Sequence, residues 1–118
     1  MADTQDRVTA ETVGELLEDE YARSILAETS TEPLSATELA ERCEASSPTV
    51  YRRLERLQEL DLLAAEQTLD PDGHHYRRCS ARLERVTIEL VDGEYQISVD
   101  RTDEDAVDRF TKLYEGLR

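Results

Sequence analysis

The sequence predicts an α+β chain, mainly helical, and three observations carry that prediction. Helix formers with periodic apolar residues fill the first half, from Thr9 to about Leu60. Turn signals flanked by alternating residues then mark two hairpins, at Asp70-Pro71-Asp72-Gly73 and at Asp92-Gly93. A last amphipathic stretch closes the chain from Thr102. At 118 residues the length fits one domain with a modest core.

Residues 1–8 are polar and are expected to be a flexible N-terminus. From Thr9 to about Thr29 the apolar positions Val13, Leu16, Leu17, Tyr21, Ile25 and Leu26 drift around the helix, which suggests a break near Asp19. Pro33 interrupts the chain. Ser35 then reads as an N-cap, and Glu38 three residues on completes a capping box for a short helix over about 36–44. Ala45, Ser46 and Ser47 make a short connection, and Pro48 suits the first turn of the next helix, over about 47–60. Val50, Leu54 and Leu57 form one narrow buried face on it. Two helices joined by about three residues, the second amphipathic, is the helix-turn-helix pattern.

The segment 62–79 can form a hairpin through the Asp70–Gly73 turn. A hairpin directly after the second helix makes residues 9–80 a winged helix-turn-helix. The second hairpin has the clearer signal. Asp92-Gly93 as a two-residue type I′ turn pairs Leu90 with Tyr95, Ile88 with Ile97, and Val86 with Val99. All six apolar side chains then share one face, which must cover something. The remaining residues, 81–118, thus comprise this hairpin and a helix with apolar positions Ala106, Val107, Phe110, Leu113, Tyr114 and Leu117, and are the expected dimerisation region.

Charge carries the functional signal. The chain has 28 acids against 14 basic residues, a formal net charge of −14. Such a surface suits a cytoplasm of molar salt, where high charge maintains solubility and salt screens the self-repulsion, so a halophilic source is expected. Yet residues 46–85 hold seven arginines and seven acids and are neutral, so the rest of the chain accounts for the whole excess. The stretch SSPTVYRRLERL, residues 46–57, lies in that neutral window.

At 100° per residue, Thr49, Arg52 and Arg56 fall on the side of the helix opposite Val50, Leu54 and Leu57, whereas Arg53 flanks the buried edge. Ser46, Ser47, Thr49 and Tyr51 lie near its N-terminus. A helix of this kind fits the DNA major groove, where arginine can fork onto guanine O6 and N7 while hydroxyls and amides take phosphates. The wing adds His74 and His75, with Arg77 and Arg78 behind them, as candidates for the minor groove. The expected partner is double-stranded promoter DNA, with cations bridging acidic side chains to phosphates. An alternative is a winged helix used for protein–protein contact in the transcription machinery, since the surface outside the window is acidic.

Other chemistry finds little support. Adjacent His74 and His75 point to opposite strand faces, Cys79 stands alone near them, and no Cys-x-x-Cys spacing occurs, so no metal is expected. Cys43 and Cys79 are too few for a disulfide-stapled domain. No nucleophile–base pair, phosphate loop or paired carboxylates stand out, so neither an enzyme nor a cofactor is expected. No apolar run is long enough to span a membrane, and the chain is expected in the cytoplasm.

With those residues in view, the sequence LLEDEYARSILAETSTEPLSATELAERCEASSPTVYRRLERLQELDLL, followed by DGHHY, resembles the ArsR-like winged-helix transcription regulators of haloarchaea. The similarity extends to RVTIELVDGEYQISV and DRFTKLYEGL. It implies a homodimer on a pseudo-palindromic promoter site, with Ser47, Thr49, Arg52 and Arg53 in the groove, and a link to oxidative stress. The clustered cysteine ligands of the family's metal sensors are missing. Apolar positions on the first and last helices, Val13, Leu16, Leu17, Phe110, Leu113, Tyr114 and Leu117, are the expected dimer contacts. A two-fold dimer would set its recognition helices about 34 Å apart.

Overall fold

The structure, a computed structural model, describes residues 6–102. Four helices come first: α1 (Ala10–Glu18), α2 (Glu20–Thr29), α3 (Ala36–Cys43) and α4 (Ser47–Glu59). Four strands follow: β1 (Leu63–Leu69), β2 (His75–Ala81), β3 (Leu83–Val91) and β4 (Glu94–Arg101). β1 pairs antiparallel with β2 and β3 with β4, in two separate sheets. The architecture is the expected α+β winged helix with an additional hairpin. The expected C-terminal helix, with Phe110, Leu113, Tyr114 and Leu117, lies outside the described residues.

The helix-forming stretch divides at Asp19. The Asp19 backbone is extended, and its N–H donates to Glu15 O, which ends α1. Its carboxylate accepts from the N–H groups of Tyr21 and Ala22, which starts α2. One acidic side chain therefore closes one helix and caps the next. The capping box at α3 is present, with Ser35 and Glu38 exchanging side-chain and backbone bonds. Glu44 then takes the left-handed conformation, φ 52, and Ala45 N–H reaches back to Ala40 O. This closed end makes the turn before α4 short and rigid.

Ser46 is the N-cap of α4, accepting from Thr49 N–H, and Pro48 sits in the first turn. Val50, Leu54, Leu57 and Leu60 bury one side of the helix against Ile25, Leu34, Leu39 and Leu62. Asp61 is left-handed at φ 59 and Leu62 N–H donates to Leu57 O, so the chain turns sharply from α4 into the wing. Leu34, in the loop after α2, forms a one-residue bridge with Cys79: N–H to O distances are 3.0 and 2.7 Å in the two directions. That bridge fastens the wing sheet to the helical body.

The second hairpin has the predicted register throughout its upper part, with Val86↔Val99, Ile88↔Ile97 and Leu90↔Tyr95. Asp92 and Gly93 both have positive φ, 51 and 82, as a type I′ turn requires, and glycine takes the second of these without strain. At its base Arg101 binds four acceptors. It reaches both Asp6 carboxylate oxygens at 3.0 and 3.1 Å, Leu60 O at 2.9 Å and Asp61 O at 2.8 Å. Arg82 adds a bond to the Asp61 carboxylate and another to Thr102 O, and Arg7 donates to Glu59 O. Cations thus satisfy the last carbonyls of α4, as its dipole favours.

The expectation of a flexible N-terminus through residue 8 is corrected for residues 6–8. Val8 is buried in the core and Asp6 belongs to the Arg101 clamp. Hydrogen bonds from Arg101 hold the Asp6 carboxyl below its ordinary value, against the opposing effect of burial. A depressed carboxyl pKa stabilises the fold fully above the unfolded value, about 4, and that contribution is lost as pH falls through the folded value. Asp6→Asn is therefore expected to cost about 1–2 kcal/mol at neutral pH. In urea melts at constant KCl, its stability should converge with that of the wild type as the pH drops below about 4.

Candidate nucleic-acid interface

α4 offers its exposed side between two flanks, α1–α2 and the wing. Ser46, Ser47, Tyr51, Arg52 and Arg56 are exposed, and Thr49 is half-buried with its N–H on Ser46 Oγ. The three arginines have different surroundings. Arg53 turns to the body: its Nε donates to Asp19 Oδ2, and its guanidinium lies 5.9 Å from the Tyr21 ring centre. Arg56 reaches Glu15 of α1 at 3.6 Å, a loose exposed pair. Arg52 makes no ion pair among the described residues and sits in the middle of the open face.

The angular reading of the helix therefore holds for Arg53, which flanks the buried edge. Burial raises the Asp19 pKa, but the hydrogen bonds from Arg53, Tyr21 and Ala22 outweigh it and hold the carboxyl below its usual value. Asp19 thus uses its two oxygens differently. One caps α2 and the other holds the recognition helix, so Arg53 sets how α4 is rotated on the body.

On the other flank, a groove of about 390 Å³ runs between α4, the start of α3 and the wing. Tyr51, Glu55 and Gln58 form its α4 wall, Ser35 and Thr37 its α3 end, and His75 and Arg77 its wing wall. Strand alternation places His75 and Arg77 on the same face as buried Cys79, toward the groove. Tyr76 and Arg78 take the other strand face, with the Arg78 guanidinium 5.4 Å from the Tyr76 ring centre, although Tyr76 still lines part of the groove. Ser35, Thr37 and Gln58 escaped sequence analysis as site residues; only the tertiary approach of α3 to β2 brings them together.

The wing tip is organised by Asp70. Its carboxylate accepts from Asp72 N–H and His74 N–H, and Gly73 N–H donates to Asp70 O. His74 Nδ1 lies 3.7 Å from Asp70 Oδ2. His74 is thus part of the turn, while His75 opens β2. Asp70, Asp72 and His74 place potential ligand atoms within 4.8 Å of one another. Asp70 already serves the turn, and the other two are exposed. Burial raises the Cys43 thiol pKa, with Glu28 adding to the effect, and burial raises that of Cys79 against Arg77. Neither cysteine has the thiolate character of a reactive site.

Residues 17–65 match the model of a family described as a helix-turn-helix domain. The matched span starts near the end of α1 and reaches β1, so it takes in the α3–turn–α4 unit and its supporting helix. A comparison with curated proteins gives no match. Residues 17–65 are thus similar to a helix-turn-helix domain, and in the structure the wing hairpin follows directly from that span. Among the described residues, no helix is long and apolar enough to cross a membrane.

The different surroundings of Arg52 and Arg53 predict different costs of removal. Arg53→Ala should lower stability by about 1–2 kcal/mol, since it leaves the partly buried Asp19 with one fewer charged donor. Arg52→Ala should stay within about 0.5 kcal/mol of the wild type. Chemical denaturation of the two variants in the same high-salt buffer checks the contrast.

Proposed function

We propose that the protein is a homodimeric, sequence-specific transcription regulator that places α4 in the major groove of promoter DNA. The observation that carries this reading is the exposed Arg52, without an ion pair among the described residues, at the centre of the open α4 face and inside the neutral window of an acidic chain. Ser46, Ser47, Thr49 and Tyr51 surround the helix N-terminus, where phosphates and base edges meet a recognition helix. Arg56 is close enough to share that role after releasing its loose contact with Glu15. Arg53 acts mainly by orienting the helix.

His75 and Arg77 line the groove beside α4 and are well placed for the sugar-phosphate backbone. His74, at the exposed wing tip, and Arg78 are the wing's candidates for the minor groove. The resemblance to haloarchaeal ArsR-like regulators and the −14 charge support a halophilic archaeal source. The oxidative-stress link rests on that resemblance alone.

Arg52→Ala is expected to weaken binding to a duplex selected by the wild type from a random pool by about 10–100-fold, with little effect on a scrambled duplex. Fluorescence anisotropy at fixed KCl measures both. Equal, undiminished binding by Arg52→Ala and Arg56→Ala would favour the protein–protein alternative. Ordinary DNA binding weakens steeply with salt as counterions are released. Here Glu55, Asp70 and Asp72 stand beside the proposed contacts, so cations would bridge acids to phosphates. Affinity is expected to hold or rise with KCl toward molar concentration in the same assay, and a steep negative slope throughout would refute bridging.

A further inference from the structure

The second hairpin has one apolar face that the body covers only in part. Val86, Ile97 and Val99 pack against the core. Ile88, Leu90 and Tyr95, farther along the same face, remain 51%, 64% and 66% exposed. Val86 also lines an apolar recess of about 200 Å³ with Val13, Leu16, Leu17 and Leu62. Hairpin face and recess therefore form one continuous surface, which ends at Leu17, itself 59% exposed. Val13 lies in the floor of the recess, within the core.

We infer that this hairpin face, with Ile88, Leu90 and Tyr95 at its centre, is the docking surface for a second copy of the chain. The inference rests on the homodimer reading above and narrows the expected dimerisation region, residues 81–118, to one face of its hairpin. Three features select a second copy as the occupant. First, none of the six side chains on the face is charged, in a chain of net charge −14. Two copies repel each other over most of their surface, and an uncharged strip is where they can approach. The lack of cations on the strip also makes it unsuited to DNA or an anionic membrane.

Second, a two-fold contact requires a self-complementary patch, and an apolar ribbon face meets that requirement. Third, the face is long enough for the core of an interface. Strands of this length give a face roughly 26 Å long. The recess extends it toward Leu17, which suits the centre of a standard interface of ~800 Å² per partner. The opposite face carries Thr87, Glu89, Gln96 and Ser98, all exposed. Because Arg101 ties the hairpin base to the end of α4, a dimer built on this face also sets the separation of the two recognition helices.

Sedimentation of the full-length protein in molar KCl tests the inference. The wild type is expected at twice the chain mass. Leu90→Glu should raise the dimer dissociation constant by about 100-fold, because a charge would be buried without a partner. Thr87→Glu, the same change on the opposite face, should shift it by less than about 3-fold. Circular dichroism checks that Leu90→Glu is folded, and Tyr95→Ser is the milder substitute if it is not. A wild-type dimer that survives both Leu90→Glu and Tyr95→Ser would overturn the hairpin assignment and leave the homodimer standing. A wild type at single-chain mass would overturn both; if Leu90→Glu then melted at a lower temperature, the occupant of the face would be this chain's own C-terminal segment.

Discussion

The rotation of α4 about its own axis is the constraint on which the rest depends. A turn of one residue, about 100°, would exchange the groove-facing side chains for others. Val50, Leu54, Leu57 and Leu60 set that rotation from below, by packing into a core where side chains are nearly inaccessible. Two arginines then hold the helix, one at its middle and one at its end. Arg53, on the helix, reaches back to Asp19, while Arg101, from the last strand, grips Leu60 O and Asp61 O at the far end. Arg52 can be left open because these other guanidinium groups already do the anchoring.

Arginine is therefore used in two ways in this acidic chain. Arg53, Arg82 and Arg101 are paired with acids of the body and bring distant segments together, while Arg85 pairs across the second hairpin with Asp100. The planar guanidinium suits such multiple contacts, as Arg101 shows by serving one carboxylate and two carbonyls at once. Arg52 and the wing residue Arg77 are exposed, and Arg77 lines the groove beside α4. The neutral window thus combines internal cross-links and an outward-facing cationic face, and the count of charges alone could not separate the two.

Much of this was legible in the sequence because it is local. The capping box at Ser35 and Glu38, the buried stripe of α4, and the register around Asp92-Gly93 depend on residues a few positions apart, where period and turn chemistry decide the outcome. The break at Asp19 was visible as a drift in the apolar stripe, although the double capping that causes it was not. What escaped was non-local. Asp6 lies 95 positions from Arg101, and Arg53 lies 34 from Asp19. Leu34 reads as part of a loop, yet it fastens the wing through Cys79. Sequence alternation separated His75 and Arg77 from Tyr76 and Arg78 without telling which pair faces α4.

The most direct measurement of the central claim is a dimethyl sulfate footprint on a duplex that the protein itself selects. A recognition helix in the major groove, reading bases through Arg52, predicts protection of guanine N7 in two clusters about one helical turn apart. That protection should disappear with Arg52→Ala while the protein stays folded. Protection confined to adenine N3 in the minor groove, or guanine protection unchanged by Arg52→Ala, would contradict it.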